Sequence, residues 1–149
     1  VNAALQVNES QRGSIIDRIA RLLPRLEGKT LAILGLAFKP ETDDIREAPA
    51  IKIIGDLIEA GAKVRAYDPA AMESAQRVLT DIEYCEDEYE AARGSDGLVI
   101  VTEWNQFRRL DMERLKQLMR ECNIIDLRNL YEPEAVRSAG FNYLAMGRN

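Results

Sequence analysis

The amino-acid sequence predicts an α/β domain built on a doubly wound, mainly parallel sheet, and three observations carry that reading. The apolar runs TLAILGL, LVIV and NII are continuous rather than alternating, as strands covered on both faces require. Segments with apolar residues at helical spacing stand between them. Turn residues mark the joints, with Gly61 placed where a helix must close.

Taken in order, Val1, Leu5, Ile15, Ile16, Ile19, Leu22 and Leu23 recur mostly at intervals of three and four, which predicts an amphipathic helix ended by Pro24 and Gly28. Its middle, Asn8 to Gly13, is polar, so its two ends face different surroundings. The helical pattern opens without a start signal, which leads us to expect that the chain is part of something longer. A βαβ unit follows: strand Thr30–Leu36, helix Pro49–Ala60, strand Lys63–Tyr67. A helix over Ala70–Leu79, a strand at Ile82–Tyr84 and a short helix at Asp87–Ala92 come next. Strand Leu98–Val101, helix Leu110–Arg120, strand Asn123–Ile125 and a last strand Phe141–Ala145 complete a Rossmann-like series.

Composition narrows the function. With 149 residues, 46% of them hydrophobic, the chain can bury one core. The net charge of −5 is spread along the chain without a basic stripe, which argues against a nucleic-acid partner. Cys85 and Cys122 lie far apart with no CxxC, and there is no histidine, so zinc sites, disulfide frameworks and complete hydrolase sites are hard to build. Both cysteines read as reduced core residues. No apolar run reaches membrane-spanning length and no signal peptide is evident, so a cytoplasmic location with no membrane partner is expected.

In such sheets ligands bind beyond the carboxyl ends of the strands, where the strand order reverses. That directs attention to Gly35–Arg46, Asp68, Thr102–Asn105 and Asp126–Asn129. Lys39 precedes Pro40, which holds it extended over the crevice, and its ammonium suits a phosphate; the alternative is a solvated lysine paired with Asp43 or Asp44. Pro49 suits the first turn of a helix whose free N–H groups favour anions. Arg128 follows a different strand on the same edge and offers a two-pronged contact, so two cations converge as a pyrophosphate would need. Asp126 either orients Arg128 or caps a following turn. Arg46 either pairs with Glu47 or Asp43 at a helix start or reaches a ligand held by a neighbouring domain. Asp68 stands where a ribose-binding acid often stands, but Gly35 has no G-x-G-x-x-G around it, so NAD binding by this sheet is not expected and Asp68-Pro69 reads as a turn. Phe38 and Trp104 read as stacking or packing groups.

These residues also carry a resemblance. GLAFKPETDDIREAP, AYDP at 66–69, VTEWNQFR at 101–108 and DLRN at 126–129, with VNESQR at 7–12, resemble the C-terminal domain of the UDP-glucose/GDP-mannose dehydrogenase family, and within it the UDP-glucose 6-dehydrogenases. The resemblance implies that residues 1–23 end the long helix that connects and dimerises the family's domains, and that residues 24–149 form its UDP-sugar-binding domain. It implies that an N-terminal domain binds NAD and that UDP-glucose is oxidised between the two domains, in two steps, to UDP-glucuronate. Phe38 and Lys39 match the family's substrate-contacting pair, Arg128 the arginine of its Asp-Gly-Arg segment, and Arg46 an arginine that reaches NAD across the cleft.

Two departures qualify the match. The family's nucleophilic cysteine, in a GGxCxPKD-like segment, and its catalytic lysine and aspartate have no counterpart here, so no catalytic residue is expected in this chain and it should be inactive by itself. Leu127 stands where the family commonly has glycine, which affects how Arg128 approaches phosphate. GDP-mannose and UDP-N-acetylmannosamine are alternative substrates, and a Rossmann-type methyltransferase or a non-enzymatic α/β module are alternative classes.

Overall fold

The computed structural model describes residues 15–146. Residues 15–22 form helix α1, so only the last part of the expected Val1–Leu23 helix falls within the described residues. The strands are β1 (Thr30–Leu34), β2 (Lys63–Tyr67), β3 (Glu83–Tyr84), β4 (Gly97–Ile100), β5 (Asn123–Asp126) and β6 (Asn142–Ala145). The helices are α2 (Pro49–Glu59), α3 (Met72–Gln76), α4 (Glu88–Ala92), α5 (Met112–Leu118) and α6 (Pro133–Ser138), with a 3₁₀ turn at Asn105–Arg109. The sheet runs β3-β2-β1-β4-β5-β6, every pair parallel. The order reverses between β1 and β4, which defines the crevice.

Strand β1 shows why the apolar runs are continuous. Leu31 and Ile33 face a cluster with Ile19, Leu23, Ile54, Leu57, Val99 and Ile125, while Ala32 and Leu34 face another with Leu98, Ile100, Phe107, Leu115 and Val136. Helix α2 buries Ala50, Ile53, Ile54 and Leu57, a stripe at helical spacing. Ala48 is extended ahead of Pro49, as a residue before proline must be, and Gly61 at φ +93° ends the helix, where the Ala62 N–H reaches back to the Leu57 carbonyl.

Several boundaries differ from the expectation. The first strand stops at Leu34 rather than Leu36 because Gly35 turns at φ +101°. The helix expected over Leu110–Arg120 is shorter, Met112–Leu118, since Leu110 is extended after the 3₁₀ turn and Asp111 caps α5 by accepting from the Arg114 N–H at 3.1 Å. The third helix is shorter than Ala70–Leu79. Helix α6 was not expected, although Pro133 at its first turn and Gly140 beyond its end are ordinary boundary signals.

Candidate nucleotide site at the carboxyl edge

The loop after β1 is held in place by two neighbours. Asp68, fully buried after β2, accepts from the Leu36 and Ala37 N–H groups at 2.7 and 3.2 Å through Oδ2, and from Ala70 and Ala71 at 2.8 and 2.9 Å through Oδ1. One carboxylate thus ties the β1 loop to the turn after β2. From the other side Thr102, buried after β4, donates its hydroxyl to the Ala37 carbonyl at 2.7 Å. Gly35 lies directly under Thr102: a Cβ there would fall 2.4 Å from the threonine side chain and 2.6 Å from its nitrogen. The loop therefore needs glycine both for its positive φ and for this close approach.

Held this way, the chain projects Phe38 and Lys39 outward. Phe38 is 51% exposed, against the general rule for a large aromatic. Lys39 is exposed and makes no ion pair among the described residues. The carboxylates expected to neutralise it are otherwise engaged or apart: Asp44 accepts from the Arg46 backbone N–H and Nε, each at 3.0 Å, and from Nη2 at 2.9 Å. Arg46 hence pairs with Asp44, not with Asp43 or Glu47, and its guanidinium, with its backbone N–H, holds the Asp44 carboxyl down at about 2. The Arg46 side chain stays 88% exposed. Phe38, Lys39, Pro40, Thr42, Asp44, Arg46 and Glu47 line a cleft of ≈ 410 Å³. A larger groove of ≈ 930 Å³ runs along the outer flank of α2, past Ile45, Ile51, Gly55 and Val78, and shares Arg46 and Glu47 with the cleft.

Two strands over, Asp126 ends β5 fully buried. Its oxygens accept from the Arg128 and Leu130 N–H groups at 3.0 and 2.7 Å and from the Tyr143 hydroxyl at 2.7 Å. Of the two roles left open for Asp126, it fills that of cap: it folds the turn that carries Arg128 and does not touch the guanidinium. That turn places Asn129 at φ +58°, while Leu127 packs on the core in a standard conformation. The hydroxyl of Tyr131 donates to the Phe107 carbonyl and accepts from the Leu110 N–H at 3.0 Å, binding this turn to the segment after β4. Burial pushes Tyr131 up to about 12, so it stays protonated in ordinary buffers. The Arg128 guanidinium instead meets Glu103, on the loop after β4, at 2.7 Å.

Lys39 and Arg128 thus flank β4 on the same edge, on loops following β1 and β5. Two interstrand spacings put those strand ends roughly 9–10 Å apart. Sequence reading placed both cations on this edge and included Glu103 among the strand-end residues, but it missed the pairing of Glu103 with Arg128, 25 positions away. Trp104 packs against the core with its indole N–H buried, so it serves as packing. Cys85 is also buried, its thiol pushed up to about 11 chiefly by desolvation, which leaves it a poor nucleophile. The oxygens of Asp68 are taken up by four N–H groups, and the β1 loop has neither a second glycine nor room under Thr102, so this sheet does not fit the NAD pyrophosphate and ribose.

Fold and site together define a parallel, Rossmann-like α/β domain with two cationic side chains, Lys39 and Arg128, on the carboxyl edge at the switch point of its sheet. Residues 32–133 match the model of the UDP-glucose/GDP-mannose dehydrogenase family, UDP binding domain. The chain is 42% identical to a UDP-glucose 6-dehydrogenase of Rhizobium meliloti (strain 1021), over 99% of this chain and 34% of the relative, and 39% identical to one of Bacillus subtilis (strain 168), over 99% and 32%. Among solved structures, a UDP-glucose dehydrogenase from Pyrobaculum islandicum superposes with a TM-score of 0.81 at 32% identity, covering 99% of this chain and 32% of that one. An NDP-N-acetyl-D-galactosaminuronic acid dehydrogenase from Methanosarcina mazei Go1 superposes with 0.84 at 25% identity, covering 97% and 30%. The chain belongs to the UDP-glucose/GDP-mannose dehydrogenase family, and it spans about a third of the length of the relatives it matches. Among the described residues no helix is long and apolar enough to cross a membrane.

Proposed function

We propose that this chain is the nucleotide-sugar half of a cytoplasmic, homodimeric, NAD-dependent UDP-glucose 6-dehydrogenase, which converts UDP-glucose with two NAD and water to UDP-glucuronate and two NADH. The observation that carries the reading is the placement of two cations on loops that follow the strands on either side of β4, Lys39 after the first strand and Arg128 after the fifth, where a ligand lying over the end of β4 would meet both. Lys39 and Arg128 hold the diphosphate, and the exposed ring of Phe38 packs on the nucleoside or sugar. The buried Asp68, Thr102 and Asp126 shape the loops that present these groups.

NAD supplies the hydride acceptor and is held by the N-terminal domain; what this chain offers it is Arg46, paired with Asp44 and 88% exposed. The chemistry of oxidation belongs to that other domain, since the cysteines here are packing residues, and the chain alone is inactive. UDP-glucose is preferred to GDP-mannose or UDP-N-acetylmannosamine because the high-identity relatives are UDP-glucose 6-dehydrogenases.

Calorimetric titration with UDP tests the reading. We expect Lys39→Ala and Arg128→Ala each to weaken UDP binding about tenfold or more, as loss of a charge-assisted hydrogen bond does. Unchanged affinity in both variants, or preferential binding of S-adenosylmethionine, would overturn it.

A further inference from the structure

We propose that Glu103 sets the charge preference of the site, favouring the doubly esterified diphosphate of a nucleotide sugar over a free nucleoside diphosphate. This inference rests on the function proposed above and deepens it. Strand β4 lies between β1 and β5, so a ligand spanning Lys39 and Arg128 must cross the end of β4, where Glu103 sits. The backbone that carries Glu103 is anchored there by its neighbour Thr102, which is buried and donates to the Ala37 carbonyl at 2.7 Å. Its carboxylate contacts Arg128 through Nη2 alone, at 2.7 Å, with the two side chains 32% and 41% exposed. The remaining donors of the guanidinium make no hydrogen bond among the described residues, so Arg128 can meet a phosphate while keeping Glu103.

The edge is therefore tempered in charge rather than maximally basic. Arg46 is matched by Asp44 and Arg128 by Glu103, while Glu47 adds a further carboxylate to the cleft. A carboxylate this close repels each ligand charge in proportion. A free nucleoside diphosphate carries one more negative charge than the sugar diester at about pH 8, because its terminal phosphate ionises again near pH 6. Glu103 accordingly penalises the free diphosphate more, which favours occupation by the intact nucleotide sugar.

Glu103→Gln removes the charge and keeps an oxygen for Arg128, on a half-exposed side chain whose loss does not threaten folding. The 149-residue chain and this variant would be titrated calorimetrically with UDP and with UDP-glucose at about pH 8, at low and high salt. One unit charge a few ångströms away in a water-like dielectric amounts to roughly threefold in affinity per ligand charge. The variant should bind both ligands more tightly, UDP about threefold more so than UDP-glucose, with the difference shrinking at high salt. An equal factor for both ligands, or weaker binding of both, would overturn the inference and make Glu103 a positioning residue for Arg128. Failure of the unsubstituted chain to bind either ligand would overturn the proposed function and this inference with it, whereas binding with an unshifted ratio removes the inference alone.

Discussion

Asp68→Ala should lower the unfolding free energy by ~3–5 kcal/mol and abolish UDP binding at the same time. The carboxylate accepts four N–H bonds, two from the loop after β1 and two from the turn after β2, in a fully buried position. Removing it strands several buried donors at once, each at about 1–3 kcal/mol, offset in part by water entering the gap. The same bonds fix Leu36 and Ala37, immediately ahead of Phe38 and Lys39, so stability and binding fail together. Urea unfolding followed by titration with UDP at a temperature where the variant remains folded separates the two effects. A loss below about 1 kcal/mol, or undiminished UDP affinity, would show that the β1 loop is held by other means.

Gly35→Ala should destabilise the domain by ~3 kcal/mol or more, a large effect for one methyl group, because it combines a strained backbone with overpacking. The position has φ +101°, and the new Cβ would lie 2.4 Å from the Thr102 side chain. Trimming that side chain should not restore stability: in the double variant with Thr102→Ala the methyl still meets the Thr102 backbone nitrogen at 2.6 Å, and the Ala37 carbonyl loses its hydroxyl partner. Recovery to within about 1 kcal/mol of the parent in thermal unfolding of the double variant would place the problem in side-chain packing alone and contradict this account. Among the described residues, Gly35 thus does for the loop what a glycine-rich turn does elsewhere, but in order to approach a threonine rather than a phosphate.

The parts of the site legible in the sequence were those that depend on position along the chain. Once TLAILGL, LVIV and NII were read as parallel strands, Lys39 and Arg128 fell on one edge by topology, and the observed order β1-β4-β5 places them there. Pro49 and Gly61 marked α2 to within a residue because their backbone restrictions are local. Pairings made through space were not legible. Three acids stood near Arg46, and only the turn in which Asp44 accepts the Arg46 backbone N–H selects Asp44 over Asp43 and Glu47. Asp68 was readable as a turn residue, yet its two bonds across to Leu36 and Ala37 depend on how close the β1 loop comes to β2. The start of α5 at Met112 rather than Leu110 is not legible because Leu110, Leu115, Leu118 and Met119 keep a helical spacing that masks the capping role of Asp111.

The most direct test of the central claim is an amide-resolved NMR titration of the ¹⁵N-labelled chain with UDP. The account predicts that saturable shifts concentrate at residues 35–46, 102–104 and 127–130, along the carboxyl ends of β1, β4 and β5. Shifts confined to the flank of α2, or to the opposite edge of the sheet around Ser95, Asp96 and Asn123, would contradict it.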